Sequence, residues 1–351
     1  MTTLLEELAA GGGAQGADVA SELESIRGRF ARALEALGAK RVEELPWYVF
    51  IGAPGSGKTT ALANSGLRFV LPPAEGATPG IGGTRNCDWW FAEEAVLLDT
   101  AGRYTTQASS ARADAAAWHG FLALVKRFRP GRPLNGAFVT VSVPDLLLWT
   151  KLERARFAGH VRMRLAEMYA ALGERFPIYL LATKTDLLAG FTEFFGELDV
   201  EGRAQVWGTT FDLQLDPATL EARYAEEFAA LEARLNAEML ARLHEEGDLQ
   251  RRASIYRFPQ QFHALGPLMG EFLAQSFTTQ VEHRAPLLRG VYFTSGTQEG
   301  NPIDRVLGTL ARTFSLERAA AVERGPSGRG YFISRLLREV VLAEAGLAGA
   351  L

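Results

Sequence analysis

Short runs of consecutive apolar residues recur along the first half of the chain, at 47–51, 95–98, 137–143 and 177–182. Bounded by turn residues and only four to seven residues long, they read as strands buried on both faces. A further strand is expected at 86–91, joined to the one at 95–98 through Ala92, Glu93 and Glu94. Other stretches repeat apolar residues at three- and four-residue steps, the period of an amphipathic helix. Leu23, Ile26, Phe30, Leu34 and Leu37 do so before Gly38, and Trp118, Phe121, Leu122 and Val125 do so again; 152–172 is a third helix. Strands alternating with helices predict a mostly parallel sheet with helices on both faces.

The alternation breaks after residue 190. Helical spacing dominates 191–287, most clearly at Leu220, Tyr224, Phe228, Leu231, Leu235, Met239 and Leu243. The strand pattern returns at 288–294; 303–314 and 331–344 read as helices, separated by a break around Gly325, Pro326 and Gly328. The expected organisation is therefore an N-terminal linker and amphipathic helix over 1–40, a nucleotide-type α/β domain over 41–190 plus 288–300, a helical insertion over 191–287, and a C-terminal helical extension over 301–351. The Gly- and Ala-rich 1–18 reads as a frayed end.

The chemistry sits in the turns. The strand ending at Ile51 runs into Gly52, Ala53, Pro54, Gly55, Ser56, Gly57, Lys58 and Thr59, followed by Thr60 at the head of a helix. This is the phosphate-loop spacing in its required strand–turn–helix context. The glycines let several N–H groups converge on phosphate oxygens, and the helix start adds positive potential. Lys58 is placed to reach the β- and γ-phosphates, and the Thr59 hydroxyl to ligate magnesium. Asp99, at the next strand end, opens Asp99-Thr100-Ala101-Gly102. Its carboxylate would hold a water of the magnesium shell, and the Gly102 N–H would sense the γ-phosphate. Thr84, within Gly82-Gly83-Thr84-Arg85, is the candidate for completing the metal shell, with Thr78 as its competitor and Arg85 a possible charge stabiliser.

Thr183-Lys184-Thr185-Asp186 ends the strand at 177–182 and is similar to the base-reading element of GTPases. A carboxylate accepts from both the N1–H and the N2 amine of guanine, whereas adenine presents an acceptor at N1. GTP and GDP are therefore favoured, with ATP open. Ser295 and Gly296 follow the restored strand, where a loop approaches the base through its backbone. Arg103 occupies the position after Asp99-Thr100-Ala101-Gly102 that carries a water-orienting glutamine in Ras-like enzymes. Hydrolysis is expected to be slow, or to use Arg103 itself, Gln107 or a partner's residue.

Composition narrows the classes. A net charge of −4 and a pI near 5.9 argue against a basic nucleic-acid surface. One cysteine, Cys87, excludes an internal disulfide framework. No run reaches the ~18 apolar residues of a membrane span, and no signal peptide is visible.

Leu45-Pro46-Trp47-Tyr48, the stretch from Gly83 to Phe91, that from Asp99 to Gln107, Gly190-Phe191-Thr192-Glu193-Phe194-Phe195 and Glu344-Ala345-Gly346-Leu347-Ala348-Gly349 together resemble the IcmF-like (TssM) family. That family is the large inner-membrane component of bacterial type VI secretion systems. The resemblance implies a P-loop GTPase-like domain with a helical extension, lying on the cytoplasmic face between membrane helices of a longer, membrane-spanning protein. It also implies a DotU-like (TssL) inner-membrane partner, baseplate contacts and an oligomeric assembly. Arg103 is typical of the family, and some members lack an intact phosphate loop, so turnover is dispensable in part of it.

Overall fold

The computed structural model describes residues 13–70, 87–107, 110–278, 285–296 and 330–348. At its centre is a seven-stranded sheet of order β2-β3-β1-β4-β5-β7-β6. The strands are β1 (Trp47–Gly52), β2 (Asp88–Phe91), β3 (Val96–Asp99), β4 (Gly136–Ser142), β5 (Pro177–Thr183), β6 (Gly208–Thr210) and β7 (Leu287–Phe293). The five inner strands are parallel, and β2 and β6 close the two edges antiparallel.

All strands but the edge strand β6 bury every side chain, because the pleat divides them between two apolar layers. Trp47, Val49 and Ile51 face one layer with Val139, Leu180 and Val291. Tyr48 and Phe50 face the other with Phe138, Leu181 and Tyr292. The first layer is covered by α1 (Gly13–Leu37), α5 (Ala111–Phe128), α7 (Lys151–Leu172) and the helices α10 (Leu220–Glu245), α11 (Leu249–His263) and α12 (Gly266–Phe277). The second is covered by α3 (Lys58–Ala63), with Leu67, and by the segment bearing Ile333, Leu336, Leu337 and Val341. Phe30 of α1 stacks on Phe128 at 3.9 Å and meets Trp47 and Trp89 edge-on or tilted, which seats α1 against β1 and β2. Among the described residues no helix is long and apolar enough to cross a membrane.

Several expectations are corrected. The N-terminal helix already begins at Gly13, inside the stretch read as a frayed end. Short helices α2 (Ala39–Glu44) and α4 (Gly102–Thr106) respectively precede β1 and follow β3. A third, α6 (Val143–Leu148), takes Val143 from the end of the expected strand; Ser142 caps it and Pro144 stands in its first turn. The helical stretch after residue 190, with α8 (Phe191–Phe195) and α9 (Val200–Ala204), also contributes β6 to the sheet. The C-terminal helix is wound as a π-helix at Leu336–Val341, and the Val341 carbonyl accepts from the Tyr48 hydroxyl at 2.8 Å. The loop at 71–83, the helix at 303–314 and the break between Glu323 and residue 329 lie outside the described residues.

The C-terminal segment is held across the start of the sheet by a polar knot. Glu344 accepts from the Arg289 guanidinium and from Tyr179 at 2.8 Å, and Asn135 donates to the Ala345 carbonyl at 2.7 Å. Arg289 is nearly buried, so removing its partner strands a cation in an apolar setting. Glu344→Ala should therefore lower the unfolding free energy by about 2–3 kcal/mol, below the fully buried figure because Glu344 is part-exposed. Denaturant unfolding followed by circular dichroism checks this.

Candidate nucleotide-phosphate site

The chain leaves β1 with β3 on one side and β4 on the other, so the loop after Gly52 stands at the point where the strand order reverses. Open parallel sheets bind ligands at that point, beyond the carboxyl ends of the strands. Backbone approach there leaves no room for side chains. A Cβ on Gly52 would lie 2.1 Å from Thr140 Oγ1, and one on Gly102 would lie 2.3 Å from the Pro54 nitrogen. Gly55 and Gly57 have φ of 72° and 85°, and Gly57 caps α3 in the left-handed conformation.

Neighbouring hydroxyls fix this loop. Gly52 N donates to Thr105 Oγ1 at 3.0 Å, Ser56 and Thr140 share a hydroxyl–hydroxyl bond of 2.7 Å, and Thr183 Oγ1 donates to the Ser56 carbonyl at 2.6 Å. Lys58 is 5% exposed, and its ammonium donates to the Gly52 and Ala53 carbonyls at 3.1 Å. Burial lowers its pKa, and the Asp99 carboxylate opposes that shift. Thr59 Oγ1 donates to Asp99 Oδ2 at 2.6 Å, with Asp99 fully buried at the end of β3. A hydroxyl beside a carboxylate is the hard-oxygen pair that magnesium takes.

A second cluster forms where β5 and β7 end. Lys184 adopts φ 57° and turns the chain into a short 3-10 turn, Thr185–Leu187. Thr185 N and Oγ1 both donate to the Thr294 carbonyl, which ties the two strand ends together. Asp186 is buried; its Oδ1 accepts from Ser295 Oγ at 2.6 Å, while Oδ2 has no hydrogen-bond partner among the described residues. Burial pushes its carboxyl up to about 6, against the Ser295 hydrogen bond. The two clusters meet twice: Gly57 packs on Thr183, and a Cβ on Gly296 would stand 2.4 Å from Thr60 Cγ2.

Gly52 through Thr60, Asp99, Gly102, Thr183, Lys184, Asp186, Ser295 and Gly296 are thus drawn into one region. Arg103 is turned elsewhere: its guanidinium bonds Asp114 of α5 at 3.0 Å and Glu22 of α1, and Tyr104 donates to the same Glu22. Thr78, Thr84 and Arg85 lie outside the described residues. Ser295's hydroxyl, Thr105, Thr140 and Glu22 went unnoticed in the sequence, because each meets its partner only through the fold.

The chain is a mixed α/β protein whose mostly parallel seven-stranded sheet carries a phosphate-loop sequence at its topological switch point. More narrowly, the chain belongs to the IcmF-related family, whose N-terminal domain model matches residues 111–351. It is 53% identical over 343 residues to the type VI secretion system component TssM1 of Pseudomonas aeruginosa, covering 94% of this chain and 31% of that protein. It therefore spans about a third of the length of that relative. The family model begins beyond the phosphate loop and Asp99, while the TssM1 alignment takes in nearly the whole chain. Two GDP-bound solved structures also align. One is an ADP-ribosylation-factor-like GTP-binding protein (small COPII coat GTPase SAR1) from Encephalitozoon cuniculi, at 15% identity, 87% of this chain, 100% of that chain and a TM-score of 0.29. The other is an S. thermophilus NFeoB mutant, at 12% identity, 66% of this chain, 98% of that chain and a TM-score of 0.26. Superpositions that loose carry no argument.

The Asp186 environment makes a pH prediction. Its folded value of about 6 lies above the ordinary carboxylate value of about 4, so between those values the native protein holds a proton that the unfolded chain releases. The stabilisation from this group is present at the acid end and is lost as pH rises through about 6. Asp186→Asn keeps the shape and removes the charge. Without ligand it should melt within a degree or so of wild type at pH 4 and about 2–4 °C higher at pH 8. Thermal melts at the two pH values check this, and an equal offset at both would contradict it.

Proposed function

We propose that this chain is a P-loop GTPase-like domain of a type VI secretion component, binding guanine nucleotides with magnesium and hydrolysing the triphosphate slowly. The observation that carries the reading is the convergence of the phosphate loop with Asp186, a buried carboxylate whose Oδ2 lacks a hydrogen-bond partner among the described residues. Burying such an oxygen is costly unless a ligand supplies donors. The N1–H and N2 amine of guanine are two donors in the geometry one carboxylate accepts. Adenine offers an acceptor at the same place and leaves Asp186 unmatched.

The loop N–H groups and Lys58 would bind the β- and γ-phosphates; Thr59 and Asp99, with Thr84, would hold magnesium, which neutralises phosphate charge when bound. Gly102, packed closely against the Pro54 backbone, would respond to the terminal phosphate. Slow hydrolysis follows from the occupied guanidinium of Arg103, which is paired to Glu22 and Asp114. The same observation favours a second reading, a scaffold stabilised by nucleotide with no turnover. In the whole protein this domain would sit at the cytoplasmic face of the inner membrane, beside a DotU-like partner and the baseplate, within an oligomeric membrane complex.

Equilibrium titration of GDP, GTP, ADP and ATP with magnesium tests the binding claim. Guanine nucleotides should bind at least about tenfold tighter than adenine ones, the cost of an unmatched buried carboxylate. Lys58→Ala should weaken all four by about a hundredfold through loss of a charged phosphate contact. Equal affinity for ADP and GDP would sink the guanine assignment. Phosphate release that Lys58→Ala abolishes separates the slow enzyme from the scaffold.

A further inference from the structure

Ser295, which orients Asp186, is itself held by a segment from far along the chain. Its N–H donates to the Tyr331 carbonyl at 3.1 Å, and Tyr331 N–H donates back to the Ser295 carbonyl at 2.8 Å. The next residue, Phe332, has φ 63°, a left-handed conformation that bulky residues rarely adopt and that persists only where surroundings over-determine it. Those surroundings come from the helices that follow Asp186. Phe332 N–H donates to the Arg203 carbonyl of α9 at 2.6 Å, and its ring meets Phe195 at 5.1 Å and Trp207 at 5.2 Å. The Tyr331 ring lies edge-on to Phe191 at 5.3 Å, under the Arg203 guanidinium at 5.9 Å. Phe191 opens α8 only five residues after Asp186, with its N–H bonded to Leu188 of the intervening turn.

The contacts close a circuit: Asp186 to Ser295, Ser295 to Tyr331 and Phe332, these to Phe191 and Phe195, and the chain back to Asp186. We infer that the Tyr331–Phe332 pair is a positioning element of the base site and couples its occupancy to α8 and α9. The inference rests on the nucleotide reading above. A base that engages Asp186 Oδ2 fixes the carboxylate as the anion. That strengthens the Ser295 hydrogen bond, since bonds to charged acceptors are the stronger ones. Ser295 then restrains the Tyr331 pairing, and Phe332 restrains the aromatic cluster beneath α8 and α9. Helix α9 has no buried residues of its own, and Val200 on it is 74% exposed. It is the solvent-facing end of the circuit.

The test compares wild type with Phe332→Ala, and with Phe332→Tyr as the conservative control, by three readouts. These are affinity for magnesium tripolyphosphate, which has no base; the ratio of GDP to ADP affinity; and hydrogen exchange over 191–207 with and without GDP. Phe332→Ala should keep tripolyphosphate binding, lose about tenfold in the GDP-to-ADP ratio, in the range of ordinary site coupling, and lose the slowing of exchange that GDP produces in wild type. Phe332→Tyr should behave as wild type. Phe332→Leu, which keeps most of the apolar volume, carries the test if the alanine variant loses tripolyphosphate binding, with the same direction and a smaller loss of about threefold. A wild-type preference for GDP that survives intact in the alanine or leucine variant overturns the coupling alone. A wild type with no purine preference overturns the nucleotide reading and the coupling with it.

Discussion

The close approach of backbones at the carboxyl end of β1 is the constraint on which the rest of this molecule depends. Gly52 passes so near Thr140 and Ser56 that any Cβ would collide, and Gly102 does the same against Pro54. These approaches hold the loop in the notch between β3 and β4. The hydroxyls of Thr105, Thr140 and Thr183 then find its backbone and side chains within bonding distance. The sheet supplies the rigidity, because β1 is hydrogen-bonded on both sides and buried on both faces. Function-bearing loops gain precision when a scaffold over-determines their ends, and here one strand and two glycines do most of that.

Charge is arranged around the site in two different ways. Lys58 and Asp99 are buried within it, so their interactions act at a low effective dielectric and respond strongly to an anionic ligand. Arg103, the residue after Gly102, is drawn off to Glu22 and Asp114 and holds α1 and α5 together. The chain belongs to the IcmF-related family and spans about a third of the length of its relative, the type VI secretion system component TssM1 of Pseudomonas aeruginosa.

What the sequence disclosed, and what it withheld, follows from the range of each interaction. The inner strands were legible because burial on both faces demands unbroken apolar runs, and the phosphate loop because its glycines, Lys58 and Thr59 are contiguous. β6 was not: three residues, Gly208–Thr210, carry no period, and only their pairing with β7 makes them a strand. The helix Val143–Leu148 went unread because its six residues are too few to show a period; only Val143 was taken as strand, and Pro144 in its first turn was the available start signal. Among site residues, Asp186 was visible from its local motif. Ser295 was placed near the base by its order in the chain, but its hydroxyl's bond to Asp186 spans 109 positions, and Glu22, which engages Arg103, is 81 away. No spacing rule reaches that far.

The most direct trial of the account is a change of base specificity at Asp186. In Asp186→Asn the side-chain amide donates where the carboxylate accepted, which matches the C2 carbonyl of xanthine and mismatches the N2 amine of guanine. Titration of wild type and variant with GDP and xanthosine diphosphate, each with magnesium, should show the preference reversing by about a hundredfold or more overall. A variant that loses no GDP affinity and gains none for xanthosine diphosphate would mean that Asp186 does not face the base, and the site as drawn would be wrong.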